Sequence, residues 1–469
     1  MKKEHRVEKD ALGTKNVPHD AYYGIHTARS MELFPISGLK QHSALVNAVV
    51  LIKKAAAAVN KTQKRLDNRK ADCIIQACDE ILGGKMKDQF LVDAFQMGAG
   101  TSLHMNCNEV IANRAEELMG GRRGEYALIS PHDDVNRGQS TNDVFPTAMR
   151  LAVVTLTSNQ LLPALSGLEK VLFKKAEEFK KVIKSGRTHL QDAVPVTLGQ
   201  EFKAYAEAIK GCRLFLEQSL NSLLKIGIGG TAVGTGLNTR PGYADLMVDQ
   251  LRELTGLDLE LAEDMREATQ SMHPMSEVSA ALRNLALELT RIANDLRLLS
   301  SGPRTGLYEI SLPPVAPGSS MMPGKVNPSV LEMLNMVCYQ VIGCDLTVAS
   351  SVQAGQLELN VMMPVIAFNL CFMIEILSNS LEVVATKCIE GIEAHADICR
   401  QYAEKSAGLI TALSPYLGYS AAAEVVKQAL DEGKTLVDVI EERGLLTAEQ
   451  LKDIMRTEKM TSPNLTDIE

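Results

Sequence analysis

The chain has 469 residues, 45% hydrophobic and 23% charged, which is typical of a folded globular protein with two or three domains. Its formal net charge is −8, and the charges are not gathered in blocks of five or more. This balance argues against nucleic acid or a membrane surface as a partner held by bulk electrostatics, while a local cationic pocket for an anionic metabolite remains compatible with it.

The start of the chain and its cysteines indicate a cytoplasmic protein. The first six residues are charged and no apolar run follows them, so we expect no secretory signal. No apolar, charge-free stretch of 18 residues suggests a membrane span. The nine cysteines include no Cys-x-x-Cys pair, which favours reduced thiols. No two histidines have zinc-like spacing, so we expect no metal site.

The predicted elements change in character along the chain. Residues 1–140 form a mixed, mostly helical N-terminal domain, with helices predicted over 43–58 and 69–82. Long helices are then predicted over 147–184, 198–225, 275–300, 330–350 and 364–389, and Pro163 is expected to kink the first of them. Shorter helices separated by glycines follow. The predicted domains are therefore 1–140, a central long-helix bundle over 141–396, and a small helical domain over 397–469.

The helix predicted over 275–300 carries the clearest pattern. Its apolar residues recur at alternating spacings of three and four: Leu282, Leu285, Leu289, Ile292, Leu296 and Leu299. Such a heptad-like seam packs long helices side by side, so we predict a mainly α fold dominated by a bundle. Helices of about 40 Å hold their two ends far apart, so polar patches at opposite ends meet only if other copies of the chain supply them. We therefore expect oligomerisation.

Four polar patches lie between these helices, at residues 98–102, 139–143, 186–189 and 317–329. Helix capping and turn formation would explain any one of them alone. Together they supply many hydroxyl and amide donors, with Lys325, Asn327 and His189 among them. This combination fits a substrate with two carboxylates.

The last patch has the composition of a loop that closes over a ligand. Prolines stand at its ends, and Gly318 allows backbone N–H groups to approach a ligand closely. Proton removal beside a carboxylate builds up negative charge, which aimed donors stabilise. A serine of this loop acts as the base only if loop amides and a nearby cation stabilise its alkoxide.

A glycine-rich stretch at residues 227–232 is a competing motif. It matches the dinucleotide-binding pattern with alanine at the last position, but the residues before it read as helix rather than strand. The overlapping stretch at residues 229–235 lacks the lysine of a phosphate-binding loop. We therefore predict no nucleotide cofactor.

Residues 318–327, Gly-Ser-Ser-Met-Met-Pro-Gly-Lys-Val-Asn, closely resemble the signature of the aspartase/fumarase superfamily, in which one methionine is usually isoleucine. Three further blocks, at 108–114, 186–193 and 230–238, match in the same order. The resemblance covers nearly the whole chain, from about Arg6 to the C-terminal region.

Within the superfamily, the details resemble the aspartases more than the fumarases. Asp-Ala-Tyr-Tyr-Gly at 20–24, Gly-Ala-Gly-Thr-Ser at 98–102 and Ser-Thr-Asn at 140–142 are aspartase-like, and so is Ala-Gly-Gln-Leu at 354–357. Two alternatives stay open at this point. One is a fumarate hydratase or another lyase of the superfamily, and the other is a catalytically idle helical scaffold.

The resemblance implies a homotetramer with active sites shared between three subunits and no organic cofactor, although some members respond to divalent cations. It implies Ser319 as the catalytic base, with His189 and Asn142 facing the leaving amino group. The implied substrate-binding residues are Thr101, Ser140, Thr141, Asn142, Thr188, Ser320, Lys325 and Asn327. Two positions depart from the family pattern: His104 replaces a common Asn, and Met363 stands where aspartases often have Glu.

Overall fold

The computed structural model of the chain describes residues 5–463. Within this range it contains 17 α-helices and four two-stranded sheets. The prediction of a mainly α fold is therefore confirmed.

The helices are numbered in chain order. They are α1 Ile25–Leu33, α2 Ser43–Thr62, α3 Asn68–Leu82, α4 Thr101–Leu118, α5 Thr141–Leu156, α6 Leu162–Glu178, α7 Leu198–Leu220, α8 Tyr243–Thr255, α9 Met265–Gln270, α10 His273–Leu299, α11 Ser329–Val352, α12 Met363–Lys387, α13 Ala396–Lys405, α14 Ile410–Leu417, α15 Tyr419–Glu432, α16 Leu436–Arg443 and α17 Ala448–Ile454.

The strands are short and pair locally. They are β1 His5–Asp10, β2 Gly13–Pro18, β3 Ile183–Thr188, β4 Gln191–Thr197, β5 Lys225–Ile226, β6 Glu260–Leu261, β7 Ile310–Ser311 and β8 Glu393–Ala394. β1 pairs antiparallel with β2, β3 with β4 and β7 with β8, whereas β5 and β6 run parallel. The β3–β4 hairpin carries one of the polar patches.

The apolar seam predicted from the sequence lies on α10. All six of its leucine and isoleucine side chains are at most 5% exposed. A buried row at spacings of three and four is what a helix presents to its neighbours in a bundle. The periodicity therefore located this helix to within two residues at its start.

The helix predicted over 147–184 differs from the observed chain. It begins earlier, at Thr141, and a π-helical turn at Thr157–Leu161 separates α5 from α6. Pro163 follows this turn and has no N–H to donate, so the regular i→i−4 hydrogen-bond pattern is interrupted at this point. The helix ends at Glu178, and residues predicted to be its last turn belong to β3.

The described chain divides into two compact units. The first unit comprises residues 1–163, 212–286 and 337–378, and the second comprises 164–211, 287–336 and 379–469. Within the second unit, α14 to α17 surround an apolar cluster that includes Leu413, Val425 and Val439. The three-domain division drawn from the sequence stays a prediction.

Within residues 5–463, four helical segments are long and apolar enough to cross a membrane, judged by length and composition alone: Ser43–Thr62, Thr141–Glu178, Ser329–Val352 and Met363–Gly391. In the first and the last of them, 67% of the most apolar window is buried inside the protein. Interior packing accounts for the apolar character of these two segments.

Candidate active site

Four predicted substrate-binding residues lie at the beginnings of two helices in the first unit. Thr101 is the first residue of α4, and Ser140 is the N-cap of α5, where its hydroxyl accepts a hydrogen bond from Asn142 N at 3.2 Å. Thr141 and Asn142 form the first turn of α5. Backbone N–H groups at a helix N-terminus attract negative charge, so both positions suit a carboxylate.

Gly100 allows α4 to begin close to α5. Its φ is 85°, and a Cβ placed there would lie 2.1 Å from a ring carbon of Phe145, which is buried on α5. Only glycine fits both the left-handed backbone and the space. This contact fixes Thr101, the next residue, against the helix that carries Ser140 and Thr141.

Gly100→Ala should therefore lower the stability of the protein by roughly 3 kcal/mol, because the new methyl group overpacks the core and occupies a disfavoured φ. Thermal unfolding followed by circular dichroism measures this loss. Gly167→Ala is the matched control, since Gly167 is exposed in α6 and a Cβ added there would have no neighbouring atom within 4 Å. It should be neutral or slightly stabilising. Equal unfolding temperatures for both variants would contradict the packing argument.

Asp143 holds the start of α5 in place. Its buried carboxylate accepts hydrogen bonds from Ser140 N at 2.9 Å, Gly229 N at 2.9 Å and Thr231 N at 3.1 Å. Burial raises the pKa of Asp143, and these three N–H groups act in the opposite direction. The glycine-rich stretch that resembled a dinucleotide motif thus supports the neighbouring site residues. The Ser140-x-x-Asp143 capping spacing was the available signal for this role.

A buried polar chain lies behind Thr141. Thr141 Oγ1 is 2.6 Å from His104 Nδ1, and His104 Nε2 is 2.6 Å from Lys53 Nζ. Lys53 also donates to Asn136 Oδ1 and Gln139 Oε1, each at 2.9 Å. His104 stood out in the sequence as a departure from the family pattern, whereas Lys53 was missed. A charged residue on the apolar face of α2 was the signal that could have found it.

The second unit contains the remaining predicted site residues. Thr188 ends β3, and His189 with Leu190 forms the turn into β4, with φ of 55° and 59°. Thr188 and His189 are exposed. Two successive positive φ values are those of the tight turn that suits a hairpin, although non-glycine residues pay a conformational penalty there. The turn thereby presents the imidazole at its tip.

Ionic contacts anchor this hairpin. Arg187 Nη1 donates to both carboxylate oxygens of Glu309, at 3.0 and 3.1 Å, and Lys184 Nζ lies 3.4 Å from the same carboxylate. Glu309 is fully buried and directly precedes β7. The contacts join the hairpin with Thr188 and His189 to the segment that leads into the loop of Ser319. Sequence reasoning missed Glu309, because one acidic residue before a short strand gives no signal of its own.

The loop between Gly318 and Asn327 is closed at its base. Gly318 N donates to Lys325 O at 2.8 Å, and Asn327 Nδ2 donates to Gly318 O at 2.5 Å. Inside the loop, Ser319 Oγ accepts hydrogen bonds from Met321 N at 3.1 Å and Met322 N at 2.8 Å. Two amide donors aimed at one hydroxyl oxygen stabilise negative charge on that oxygen.

The same loop lines two cavities. One, of about 450 Å³, is bordered by Tyr308, Lys325 and Asn327. The other, of about 500 Å³, is bordered by Ser319, Met322 and Lys325. Both volumes are in the range of small-molecule sites. Ser320 is exposed in the same loop.

The structure thus gathers the ten predicted residues into two groups. Thr101, Ser140, Thr141 and Asn142 belong to the first unit. Thr188, His189, Ser319, Ser320, Lys325 and Asn327 belong to the second. The other departure from the family pattern, Met363, is fully buried at the start of α12. The individual roles of the ten residues stay predictions.

Two profiles of known protein families match the chain. A family profile described as "Lyase" matches residues 13–343, and one described as "Fumarase C C-terminus" matches residues 409–462.

Curated relatives match nearly end to end. The chain is 49% identical to an aspartate ammonia-lyase of Bacillus subtilis (strain 168), over 99% of this chain and 97% of the relative. It is 46% identical to the aspartate ammonia-lyase of Escherichia coli (strain K12), with the same coverage.

Among solved structures, a class II fumarase from Schistosoma mansoni superposes with a TM-score of 0.96 at 38% identity, covering 98% of this chain and 99% of that one. These matches confirm the superfamily assignment made from the four motif blocks. The chain belongs to the lyase family of the aspartases and fumarases.

Proposed function

We propose that the protein is an aspartate ammonia-lyase, which converts L-aspartate reversibly to fumarate and ammonia. The identity to curated aspartate ammonia-lyases, 45–49% over 98–99% of the chain, carries this conclusion. The fumarase neighbour has the same fold at a lower identity of 38%. The enzyme is therefore a carbon–nitrogen lyase.

In the proposed reaction, Ser319 in its alkoxide form removes a proton from Cβ of aspartate. The electron pair of the broken C–H bond moves into the β-carboxylate and forms an enediolate. It then returns to make the Cα=Cβ double bond while the Cα–N bond breaks and ammonia leaves. The hydrogen bonds from Met321 N and Met322 N to Ser319 Oγ support this assignment, because they lower the cost of negative charge on the oxygen.

The two carboxylates of the substrate need different partners. We assign the β-carboxylate to Thr101, Ser140 and Thr141, since helix N-termini favour the charge that grows there. We assign the α-carboxylate to Lys325, Asn327 and Thr188, with Ser320 nearby in the loop. Asn142 and His189 face the amino group. His189 then assists the departure of ammonia.

The assembly and location follow the same proposal. We infer a homotetramer in which each active site takes residues from three copies of the chain, and a soluble enzyme of the cytoplasm. Its partner is a small dicarboxylate, with neither nucleic acid nor a membrane involved. The reaction needs no organic cofactor. Residues 5–463 contain no group of three or more His, Cys, Asp or Glu side chains placed to hold a metal ion.

A paired assay tests the activity. Purified protein incubated with L-aspartate at mildly alkaline pH should form fumarate, followed by its ultraviolet absorbance, whereas L-malate should give no comparable signal. Turnover of malate without aspartate would assign the protein to the hydratases instead. Turnover of neither substrate would leave another lyase of the superfamily or the idle scaffold as the better description.

A further inference from the structure

We propose that Lys53 and His104 form a buried proton relay that decides whether the hydroxyl of Thr141 can donate a hydrogen bond to the substrate. Lys53 and His104 would be positioning residues, because they act through Thr141. The proposal builds on the proposed function, in which Thr141 binds the β-carboxylate of aspartate.

The contacts around Lys53 leave little freedom in the direction of each hydrogen bond. Its Nζ meets three groups: His104 Nε2, Asn136 Oδ1 and Gln139 Oε1. The amide of Asn136 donates to Gln139 O, and that of Gln139 donates to Val135 O, at 3.3 and 3.1 Å. Because these N–H groups are already engaged, both amide oxygens face Lys53 as acceptors.

With Lys53 as an ammonium, its three N–H groups serve the two amide oxygens and His104 Nε2. His104 then carries its proton on Nδ1 and donates it to Thr141 Oγ1, at 2.6 Å. The hydroxyl hydrogen of Thr141 is consequently free. In this state Thr141 can donate to a carboxylate.

With Lys53 as a neutral amine, the pattern reverses. The lysine proton has moved to His104 Nε2, the Nδ1 proton has moved to the Thr141 oxygen, and the original hydroxyl proton has left to solvent or substrate. The net change is the loss of one proton. Now Nε2–H donates to the lysine lone pair, and Thr141 donates to Nδ1. Its hydroxyl no longer has a hydrogen for the carboxylate.

The surroundings place this switch near neutrality. Lys53 is fully buried, and burial lowers its pKa to about 7, against the opposing effects of Asp143, Cys107 and Cys78. Burial holds the pKa of His104 well below its usual value, and Lys53 and His132 act in the same direction. The imidazole is therefore neutral in both states. Only its tautomer changes.

The sign of the pH effect follows from the two states. Below about pH 7 the ammonium form holds Thr141 as a donor, and above it this donor is lost. A hydrogen bond to a charged group typically changes affinity roughly tenfold or more. The KM for L-aspartate should thus rise about tenfold between roughly pH 6.5 and pH 9, and kcat/KM should fall by at least as much, because the negative charge on the β-carboxylate grows in the transition state.

His104→Asn is the test variant. An asparagine amide can donate to Thr141 at every pH and has no second tautomer, so the rise of KM with pH should shrink to less than about threefold. His19→Asn is the matched control, because His19 is exposed and is not among the residues that contact Lys53 or His104 in this chain of hydrogen bonds. It should keep the full rise. Equal pH profiles of KM in His104→Asn and the unsubstituted protein would overturn the proposal.

A measurement without substrate separates this proposal from the proposed function. Protein labelled with ¹⁵N-histidine should show one neutral imidazole ring whose single N–H proton is on Nδ1 at about pH 6 and on Nε2 at about pH 9. The signal is assigned to His104 by its loss in His104→Asn. A single tautomer at both pH values would overturn the relay even if aspartate is turned over. The tautomer change would support it even if aspartate were not the substrate.

Discussion

Replacing Ser319 by alanine should lower kcat for L-aspartate by roughly 100- to 10,000-fold, the usual contribution of a general base. The hydroxyl that accepts from Met321 N and Met322 N is lost, so no alkoxide can form at the position we assign to the base. The loop is closed by backbone contacts between Gly318 and Lys325, which the substitution leaves in place. The fold, and with it the oligomer that we propose, should therefore persist. Steady-state kinetics and size-exclusion chromatography measure both effects.

Ser320→Ala is the companion variant, since it removes a hydroxyl from the adjacent residue of the same loop. We expect it to raise KM modestly and to leave kcat within about threefold, as for the loss of a binding contact. An unchanged kcat in Ser319→Ala would refute the assigned base. A large loss of kcat in both variants would instead indicate that the loop as a whole had been disturbed.

Asp143→Asn should destabilise the protein by roughly 2–4 kcal/mol. The fully buried carboxylate accepts three backbone hydrogen bonds. In asparagine one of its oxygens becomes an NH2 group, which cannot accept a hydrogen bond, so at least one backbone N–H would be left without an acceptor. The start of α5 should also lose its register with the stretch at Gly229 and Thr231. KM for L-aspartate should consequently rise together with the loss of stability. Denaturant unfolding and kinetics at low temperature measure the two effects.

Asp245→Asn is the control for this change. Asp245 lies in the first turn of α8, as Asp143 lies in that of α5, but its side chain is exposed. Surface substitutions of this kind usually change stability by less than about 0.5 kcal/mol. If Asp143→Asn behaved like Asp245→Asn, the buried carboxylate would not be what holds the start of α5 in place.

Much of the fold could be predicted because burial follows the helical period. The seam on α10 is an example, since its six apolar residues recur on one face and all are buried. The prediction of a helix over 147–184 was less accurate at the C-terminal end of the helix. Its last residues, Ile183 and Lys184, are equally compatible with a strand, and the pairing with β4 that decides the matter lies outside the local sequence.

The site shows a similar division. Its polar patches stand out in the sequence, because clustered hydroxyls, amides and glycines between apolar helices are conspicuous. The side chains that hold those patches in place are not conspicuous in the sequence, because each lies far along the chain from the residue that it contacts. Lys53 is 51 residues from His104, and Glu309 is 122 residues from Arg187. Such pairs become visible only when the tertiary structure brings them together.

The hairpin tip at His189 and Leu190 has a practical consequence for engineering. A residue with a side chain in this backbone conformation forgoes about 1–2 kcal/mol, and an Asn-Gly pair would adopt the same turn readily. Leu190 is exposed, so replacing it by the glycine of such a pair is a way to make the enzyme more stable. Replacing His189 by asparagine would remove the imidazole that we assign to the amino group of the substrate. Position 190 of the turn can therefore be changed, whereas position 189 cannot.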